Sequence, residues 1–289
     1  MSLPRVLVEP LVRAALLEDL GRAGDLTSEA TVPEHVRGSV ALVARDRGVV
    51  AGLSAATLAW LLLDDAVRVE VIRDDGAPVE PGDEIALVSG PARALLTGER
   101  VALNLLGHLS GVASATAGLV AAVAGTDARI CCTRKTTPGL RALEKEAVRA
   151  GGGSNHRFGL DDAVLVKDNH LAFAGGIEAA LAGIRDRVGH LVKVEVEVDT
   201  LDQLHEVLSL RHRRGGREQL VVDAVLLDNM TPAQLEQAVA LIDGRCLTEA
   251  SGRITAQSAG PIARAGVDLI SAGWITHSAP VLDIGLDHR

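Results

Sequence analysis

The sequence predicts an α/β protein in two parts, an N-terminal α+β domain followed by an incomplete α/β barrel. The chain has 289 residues, of which 47% are hydrophobic, so it can bury one large core or two smaller ones. After Gly125, short apolar runs recur at intervals of roughly 20 to 35 residues and alternate with helical or loop segments, as in repeated βα units. Six such runs are too few for a complete eight-stranded barrel.

In the N-terminal part, hydrophobic periodicity distinguishes helices from strands, and turn residues separate one element from the next. The predicted helices span 9–20, 54–63 and 91–123, and the predicted strands span 39–45, 48–53, 67–72 and 84–89. Alanine and leucine dominate the third helix, which can therefore run from one domain into the next. We place the boundary near residue 110, so the predicted domains are 1–110 and 111–289, with the C-terminal tail returning to the first domain.

In the C-terminal part, the six apolar runs are the predicted barrel strands. They span 128–132, 163–166, 191–198, 224–227, 246–248 and 269–272. Residues suited to binding or catalysis lie at or just after the end of each run. In barrel enzymes the βα loops at these strand ends hold the catalytic and substrate-binding residues. In strand order they are Arg134 with Lys135, then Lys167, Glu197, Asp228, Glu249 and Gly273.

The third barrel strand has an unusual pattern of charge. Lys193, Glu195 and Glu197 alternate with two valines, so an extended chain would direct all three charged side chains to one face. A strand of a parallel barrel is covered on both faces, and buried carboxylates require cationic partners. We expect Lys167 or Lys193 to provide them.

A block of positive charge interrupts a chain that is acidic overall. The chain contains 29 Lys and Arg against 38 Asp and Glu, a net charge of −9. Between Thr133 and Arg157 the only acidic residues are Glu144 and Glu146. The basic residues of this block are Arg134, Lys135, Arg141, Lys145, Arg149 and Arg157. This local reversal predicts a site for a small, highly anionic ligand.

The segment that follows Pro138-Gly139 is predicted to be a helix, which the glycines at 151–153 end. Arg141, Lys145 and Arg149 recur at every fourth position and form a basic stripe on this helix. Two interpretations remain open, a stripe that faces solvent and a stripe that faces the anionic ligand.

Five short motifs occur in this region of the chain. They are Thr-Arg-Lys-Thr at 133–136, Pro-Gly-Leu-Arg at 138–141, Gly-Gly-Gly at 151–153, Asn-His-Arg at 155–157 and Lys-Asp-Asn-His at 167–170. Together they resemble the quinolinate phosphoribosyltransferases, and further matches run from Glu99-Arg100 to the tail at 273–287. The resemblance implies an N-terminal α+β sandwich domain and an open-sided α/β barrel. It also implies that quinolinate and 5-phosphoribosyl pyrophosphate are converted to nicotinate mononucleotide, pyrophosphate and carbon dioxide in NAD biosynthesis.

For the acceptor, the resemblance implies that Arg134, His156 and Arg157 bind the two carboxylates of the pyridine ring. Guanidinium groups suit planar carboxylates because they can donate two parallel hydrogen bonds. Arg100 matches an arginine that reaches this site from the neighbouring subunit. The resemblance therefore implies a homodimer, or a higher oligomer built from it.

For the donor, the resemblance assigns Lys135 and Lys167 to the phosphates and treats both as catalytic. Glu197 and Asp228 match carboxylates that hold the ribose hydroxyls and a magnesium ion, and both are also expected to be catalytic. The remaining substrate-binding positions are in loops, three of them for the 5′-phosphate. They are Ser251, Gly252, Gly273 and, in the tail, His277.

Two residues close to these motifs differ from the family pattern. Cys132 stands where an aspartate usually precedes the Thr-Arg-Lys motif, and Glu146 stands where a tyrosine usually follows the lysine. Two alternatives therefore stay open. One is a paralogous phosphoribosyltransferase that acts on another aromatic acid, and the other is a non-catalytic binding protein that retains the fold.

Several other classes of function fit the sequence poorly. With two Trp, two Phe and no Tyr in an acidic chain, neither base stacking nor phosphate-backbone binding is expected, and the basic run 211–217 is predicted to be a solvated loop. Residues 1–10 lack a signal-peptide pattern, and we expect no uncharged apolar stretch long enough to cross a bilayer. Cys131, Cys132 and Cys246 lack the spacing of metal ligands or of a disulfide framework. We predict a cytoplasmic protein.

Overall fold

The computed structural model of the chain describes residues 3–214 and 216–289, so Met1, Ser2 and Gly215 lie outside the described residues. The strands are β1 (Arg37–Ala44), β2 (Gly48–Val49), β3 (Arg68–Val71), β4 (Pro78–Val79), β5 (Glu84–Pro91), β6 (Arg129–Cys131), β7 (Val164–Val166), β8 (Val194–Val198), β9 (Arg211–Arg214), β10 (Arg217–Leu220), β11 (Ala224–Asp228), β12 (Leu247–Ser251), β13 (Leu269–Ser271) and β14 (Ile284–His288). The helices are α1 (Arg5–Leu20), α2 (Leu26–Thr31), α3 (Leu53–Leu61), α4 (Ala92–Ala122), α5 (Arg141–Ala150), α6 (Asp168–Ala174), α7 (Ile177–Leu181), α8 (Ile184–Arg187), α9 (Leu201–Ser209), α10 (Pro232–Ile242), α11 (Ala256–Arg264) and α12 (Trp274–His277).

The chain forms two compact units, and neither is continuous in sequence. The first contains the residues up to Ala117 together with Lys135–Gly153 and Trp274–Arg289. The second contains Gly118–Arg134 and Ser154–Gly273. The segment that carries the basic helix α5 therefore belongs to the unit that the N-terminal residues build.

The first unit is built around an antiparallel sheet in the order β14-β1-β5-β3. The predicted strands at 39–45, 67–72 and 84–89 are confirmed as β1, β3 and β5. The predicted strand 48–53 is too long, because Gly52 adopts a φ of 99° and α3 begins at Leu53. Leu42, Ile85 and Trp60 are fully buried in this unit, and burial of such side chains contributes roughly 1.5 to 3 kcal/mol each.

The long helix α4 confirms the prediction over 91–123, and its glycines mark close approaches by other parts of the first unit. A Cβ atom at Gly98 would lie 2.4 Å from the Trp60 ring, and one at Gly111 would lie 2.0 Å from the Pro280 carbonyl oxygen. Glycine lowers the stability of a helix, but any larger residue at these two positions would collide with the segments packed against α4.

The uncharged stretch of α4 contradicts one prediction. The sequence was expected to lack an apolar stretch of membrane-spanning length, yet α4 meets the length and composition of such a segment, with a mean hydropathy of 1.4. Of that stretch, 56% is buried inside the protein. A core helix of a folded domain meets the same criteria, so the finding is weak evidence for a membrane span.

The second unit contains a six-stranded parallel sheet in the order β6-β13-β12-β11-β8-β7. All six predicted barrel strands are confirmed, with ends that differ by at most three residues. Val194, Val196 and Val198 of β8 are fully buried, as a strand covered on both faces requires. The first barrel strand, β6, pairs with the last, β13, so the sheet curves towards closure and is open between β6 and β7.

Ser154 and its neighbours lie along β6 at this opening. The Ser154 N–H donates to the Ile130 carbonyl at 2.8 Å, and the Cys132 N–H donates to the Ser154 carbonyl at 3.2 Å. This parallel bridge extends the sheet by one residue. It directs the chain that follows, His156 and Arg157, to the end of the strands where the predicted site lies.

The basic run 211–217, predicted as a loop, forms the antiparallel hairpin β9–β10. A Gly-Gly pair between two short runs is a hairpin signal, and the prediction of a loop overlooked it. Charged residues are compatible with these strands because the described side chains of Arg211, Arg213 and Arg217 are exposed.

Candidate active site

The predicted site residues of the second unit lie at the carboxyl ends of its parallel strands. Each strand contributes at least one of them, which matches the position of active sites in barrel enzymes. They are Arg134 after β6, Lys167 after β7, Glu197 on β8, Asp228 at the end of β11, Ser251 and Gly252 after Glu249 on β12, and Gly273 after β13, with His156 and Arg157 following the bridge at Ser154.

His156 lies between two buried carboxylates. Its Nε2 atom is 3.0 Å from Glu195 Oε2 and 3.6 Å from Glu249 Oε2. Glu195 is 9% exposed and Glu249 is 2% exposed. Glu249 Oε1 has no hydrogen-bond partner within the described part of the chain. Neither glutamate is assigned a substrate or a metal from the sequence, although a glutamate inside an apolar strand is an available signal.

The hydrogen bond at the other ring nitrogen decides the tautomer of His156. The backbone N–H of Arg157 donates to His156 Nδ1 at 2.7 Å, and a backbone N–H cannot accept. Nδ1 is therefore unprotonated, and Nε2 carries the proton that points to Glu195. His156, Glu195 and Glu249 have the spacing of a metal site, and coordination through Nε2 would require loss of its proton and of its hydrogen bond to Glu195.

Burial and repulsion change the acidity of Glu249. Desolvation is the largest cause, followed by the charge of Glu195, and together they raise the pKa of Glu249 to about 7. The charge of Lys167 acts in the opposite direction but does not outweigh burial. Near neutral pH, this carboxyl group is therefore present in both its protonated and its ionised form.

Arg134 and Arg157 form a second feature of the site, a pair of like charges. Desolvation is the main cause that lowers the pKa of Arg157, and the charge of Arg134 adds to it. The Nε atoms of both side chains are buried and have no hydrogen-bond partner among residues 3–214 and 216–289. Arg157 Nη1 donates to the Ala163 carbonyl at 2.9 Å. Two guanidinium groups with unused donors predict an anionic ligand, since a buried unpaired donor costs about 1 to 3 kcal/mol.

Lys167 and Glu197 form an ion pair with 3.2 Å between Nζ and Oε2. Desolvation raises the pKa of Glu197, although the Lys167 charge opposes the shift. The predicted role of Lys193 as a partner of the buried glutamates is wrong. Lys193 lies one residue before β8, and its Nζ pairs with Asp223 at 3.0 Å.

The loops after β11 and β12 are linked at Asn229. The Asn229 N–H donates to the Ser251 carbonyl at 2.9 Å, and its side-chain amide donates to Asp228. Gly252 has a φ of 105°, and a Cβ atom there would lie 2.9 Å from the Asn229 nitrogen. Glycine is required at this position, which also leaves backbone N–H groups accessible to a ligand.

The remaining predicted residues belong to the first unit. Thr276 Oγ1 donates to the Lys135 carbonyl at 2.7 Å, which joins the Lys135 loop to helix α12. His277 ends this helix and is exposed, with 2.6 Å between its Nδ1 and Ser278 Oγ. Arg100 lies on α4 with its side chain 64% exposed, and its guanidinium is 4.0 Å from Glu99.

The basic stripe on α5 is only partly exposed to solvent. Lys145 is buried, whereas about half of the Arg149 side chain is exposed. Glu144, which no sequence pattern singles out, is fully buried between His108 Nε2 at 2.8 Å and the Thr137 N–H at 3.1 Å. It therefore holds the loop after Lys135 against the helix.

Sequence comparison identifies the family. The model for "Quinolinate phosphoribosyl transferase, C-terminal domain" matches residues 112–287, and that for the N-terminal domain matches residues 25–110. The chain belongs to the quinolinate phosphoribosyltransferase family.

Named relatives cover almost the whole chain. The probable nicotinate-nucleotide pyrophosphorylase [carboxylating] of Bacillus subtilis (strain 168) is 42% identical over 280 residues, 97% of this chain and 93% of the relative. The Mycobacterium leprae (strain TN) nicotinate-nucleotide pyrophosphorylase [carboxylating] is 43% identical over 284 residues, 96% and 95% of the two chains. The crystal structure of NadC from Streptococcus pyogenes superposes with a TM-score of 0.91 at 39% identity and covers 100% of this chain and 99% of that one. The predicted fold class is confirmed.

The two departures from the family pattern have different surroundings. Cys132 is fully buried, and its thiol donates to Asn155 Oδ1 at 3.3 Å, so it orients the segment that leads to His156. Glu146 lies 3.4 Å from Arg149 on the same helix. Cys132 therefore acts on the site through Asn155.

Proposed function

We propose that this chain transfers the phosphoribosyl group of 5-phosphoribosyl pyrophosphate to the ring nitrogen of quinolinate. Loss of pyrophosphate and then of carbon dioxide gives nicotinate mononucleotide, a step of NAD biosynthesis. Family membership over residues 25–110 and 112–287 supports the reaction. The proposal that quinolinate is the acceptor substrate rests on one observation, the pair of partly buried guanidinium groups of Arg134 and Arg157.

Quinolinate matches this pair because it has two carboxylates on adjacent ring carbons. Two like charges destabilise each other, and a dianion neutralises both. The unused Nε donors of Arg134 and Arg157 supply hydrogen bonds to it. A monocarboxylate would leave one guanidinium without an anionic partner, so the pair selects for an aromatic dicarboxylate.

The phosphoribosyl donor, 5-phosphoribosyl pyrophosphate, has more negative charge than quinolinate. Its binding site therefore requires cations and backbone amides. Lys135 and Lys167 are the cations proposed for its phosphates, and His277 is proposed as a further contact. For the 5′-phosphate, the loops at Ser251-Gly252 and Gly273 offer N–H groups without a large side chain in the way.

Glu197 and Asp228 are suitable residues for the magnesium ion that accompanies the donor. Both are carboxylates at the ends of adjacent strands, and oxygen donors are those that magnesium prefers. Leu226 of β11 is level with Glu197 of β8, so Asp228 lies two residues further towards the carboxyl end. When bound, magnesium would neutralise charge on the leaving pyrophosphate.

The chain's own contribution is mainly orientation and neutralisation. The arginines hold the acceptor so that its nitrogen faces the anomeric carbon, and the nearby carboxylates stabilise positive charge that develops on the ribose. After transfer, the positive charge of the quaternised ring stabilises the electron pair that departing carbon dioxide leaves on the adjacent ring carbon, and a proton from water then forms the new carbon–hydrogen bond. The proposal therefore assigns no protein nucleophile.

The proposal includes a homodimer in which Arg100 serves the partner's site. The exposed guanidinium of Arg100 supports it, since this side chain is available to a second copy. Large apolar side chains beside the opening of the barrel give further support. Phe158, Leu160 and Phe173 are each at least half exposed, and such clusters mark association surfaces. A cytoplasmic location is proposed because the spacing of the three cysteines does not fit a disulfide framework, as is usual in a reducing compartment.

Parallel measurement of both products tests the reaction. Purified protein is mixed with 5-phosphoribosyl pyrophosphate, magnesium and quinolinate, with nicotinate in place of quinolinate as the control. Equal release of pyrophosphate and carbon dioxide from quinolinate alone is the expected result. Pyrophosphate without carbon dioxide, or activity with nicotinate only, would contradict the proposal.

A further inference from the structure

The two carboxylates around His156 have no role in the reaction described above. Glu195 belongs to β8 and Glu249 to β12, whereas His156 follows the bridge at Ser154. Three separate parts of the second unit therefore bring ionisable groups to one buried point. Burial of two carboxylates is costly unless hydrogen bonds and cations compensate them, so a function for the cluster is expected.

A continuous chain of contacts leads from this cluster to Arg157. Glu195 Oε2 accepts from His156 Nε2 at 3.0 Å, and His156 Nδ1 accepts from the Arg157 N–H at 2.7 Å. The guanidinium of Arg157 is held separately, because its Nη1 donates to the Ala163 carbonyl. Arg157 is thus fixed at its backbone by the cluster and at its side chain by the loop before β7.

We propose that Glu195 and Glu249 are positioning residues, which hold His156 as its Nε2–H tautomer and thereby fix the backbone of Arg157 for contact with the acceptor's carboxylates. The inference rests on the proposed function for its kinetic consequence. Its structural content, the tautomer and the link to Arg157, is independent of that function.

The opposite tautomer would break the link. With the proton on Nδ1, two N–H groups would face each other across the 2.7 Å between His156 and Arg157. The bare Nε2 would then face two carboxylates instead of donating to Glu195. The carboxylate of Glu195 therefore selects the tautomer that lets Nδ1 accept, as carboxylates do for other orienting histidines.

Glu249 adds a second negative group on the same side of the ring. Its Oε2 lies 3.6 Å from Nε2, beyond a strong hydrogen bond, so it acts by charge and by filling the space beside the imidazole. Glu195 and Lys167 are the charged groups near Glu249, and His156 is the other titratable group beside it. Glu195 is therefore the residue whose removal tests the link most directly.

Substitutions of Glu195 give the kinetic test. Glu195→Leu removes the oxygen that accepts the hydrogen bond from His156 Nε2, whereas Glu195→Gln keeps an oxygen that can accept it. We expect Glu195→Leu to raise KM for quinolinate about tenfold, with KM for 5-phosphoribosyl pyrophosphate unchanged, and Glu195→Gln to retain a KM near the parent value. Glu236→Gln, an exposed carboxylate on α10, is the matched control.

Coupling to Arg157 separates positioning from a general loss of stability. If Glu195 acts through Arg157, the double variant Glu195→Leu/Arg157→Lys should be no worse than Arg157→Lys alone. Additive effects, or an equal rise in KM for both substrates, would overturn the link to Arg157. An unchanged KM in a folded Glu195→Leu variant would do the same.

The tautomer itself is measurable without any substrate. Long-range proton–nitrogen spectra of the protein labelled with ¹⁵N-histidine distinguish the two tautomers, and His156→Asn assigns the signal. The Nε2–H form is expected, and an Nδ1–H signal for His156 in the parent protein would refute the proposal. If the spectra show Nε2–H but quinolinate is not consumed, the proposed function fails while the positioning cluster stands.

Discussion

At the scale of single residues, the site contains two pairs of like-charged groups that destabilise each other. Arg134 and Arg157 repel each other, and the buried Glu249 repels Glu195. Such strain in an unliganded site is expected when binding energy is directed to charge neutralisation. The residues to test are therefore those that a ligand relieves.

Arg157→Lys should impair binding of the acceptor specifically. Lysine keeps the positive charge but loses the planar pair of donors, so we expect KM for quinolinate to rise about tenfold or more. KM for 5-phosphoribosyl pyrophosphate should change little. Steady-state kinetics measures both, and Arg129→Lys, an exposed arginine at the amino end of β6, is the control. Equal increases of the two KM values would contradict the assignment.

Glu249→Gln should change how the stability of the fold depends on pH. The folded-state pKa is about 7 against 4.5 for the free carboxyl group, so the native protein holds more protons than the unfolded chain between these values. Stability that is present below pH 4.5 is lost as the pH rises through 7. Glutamine removes this loss, and the variant should gain at most about 3 kcal/mol relative to the parent by pH 8.

Denaturant unfolding of the parent and of Glu249→Gln at several pH values measures this difference. Glu236→Gln is again the matched control, because its exposed carboxyl group should give a curve parallel to the parent's. A difference between parent and Glu249→Gln that stays constant with pH would contradict the raised pKa.

At the scale of elements, periodicity predicted the six barrel strands because each is a short apolar run bounded by turn residues. It could not predict that Lys193 would leave the face of Glu195, since this depended on where β8 begins and on Asp223, 30 residues away. Periodicity could not predict the cluster of His156, Glu195 and Glu249 for the same reason. Its members are 39 residues or more from His156, and only strand pairing brings them together.

The glycines of α4 give a prediction at this scale. Gly111→Ala places a methyl group 2.0 Å from the Pro280 carbonyl oxygen, so we expect a loss of about 2 kcal/mol or more. Gly118 lies on the same helix, and a Cβ atom there would have nothing within 4 Å, so Gly118→Ala should stabilise by about 0.5 to 1 kcal/mol. Urea unfolding of both variants measures whether their free energies of unfolding change in opposite directions. Similar losses in the two variants would show that close approach is not the cause.

At the scale of the whole molecule, the acidic chain carries a basic site, and the resemblance adds a residue from a second copy. The net charge of −9 keeps copies apart in general, so association needs a specific surface. The apolar side chains beside the barrel opening are suited to that purpose.

Mixed dimers test whether Arg100 serves the partner's site. Arg100→Ala and Arg157→Ala should each be nearly inactive, since each loses a donor to the substrate's carboxylates. After mixing and exchange, hybrid dimers carry one intact site, and activity should recover to about a quarter of the parent's. Native mass spectrometry of the mixture, with one variant isotopically labelled, measures exchange itself. No recovery despite proven exchange would place Arg100 in its own chain's site or outside the site.

The pairing of β14 with β1 has a consequence for how the chain is made. β1 spans Arg37–Ala44, whereas its neighbour β14 spans Ile284–His288, so a ribosome makes β14 long after β1. Until β14 is made, β1 therefore has one unpaired edge, and the backbone groups along it can pair with a strand of another chain. The ion pairs of Arg45 with Asp287 and of Arg289 with Glu84 form only at that moment. A polypeptide truncated before β14 would carry this unpaired edge throughout its life in the cell.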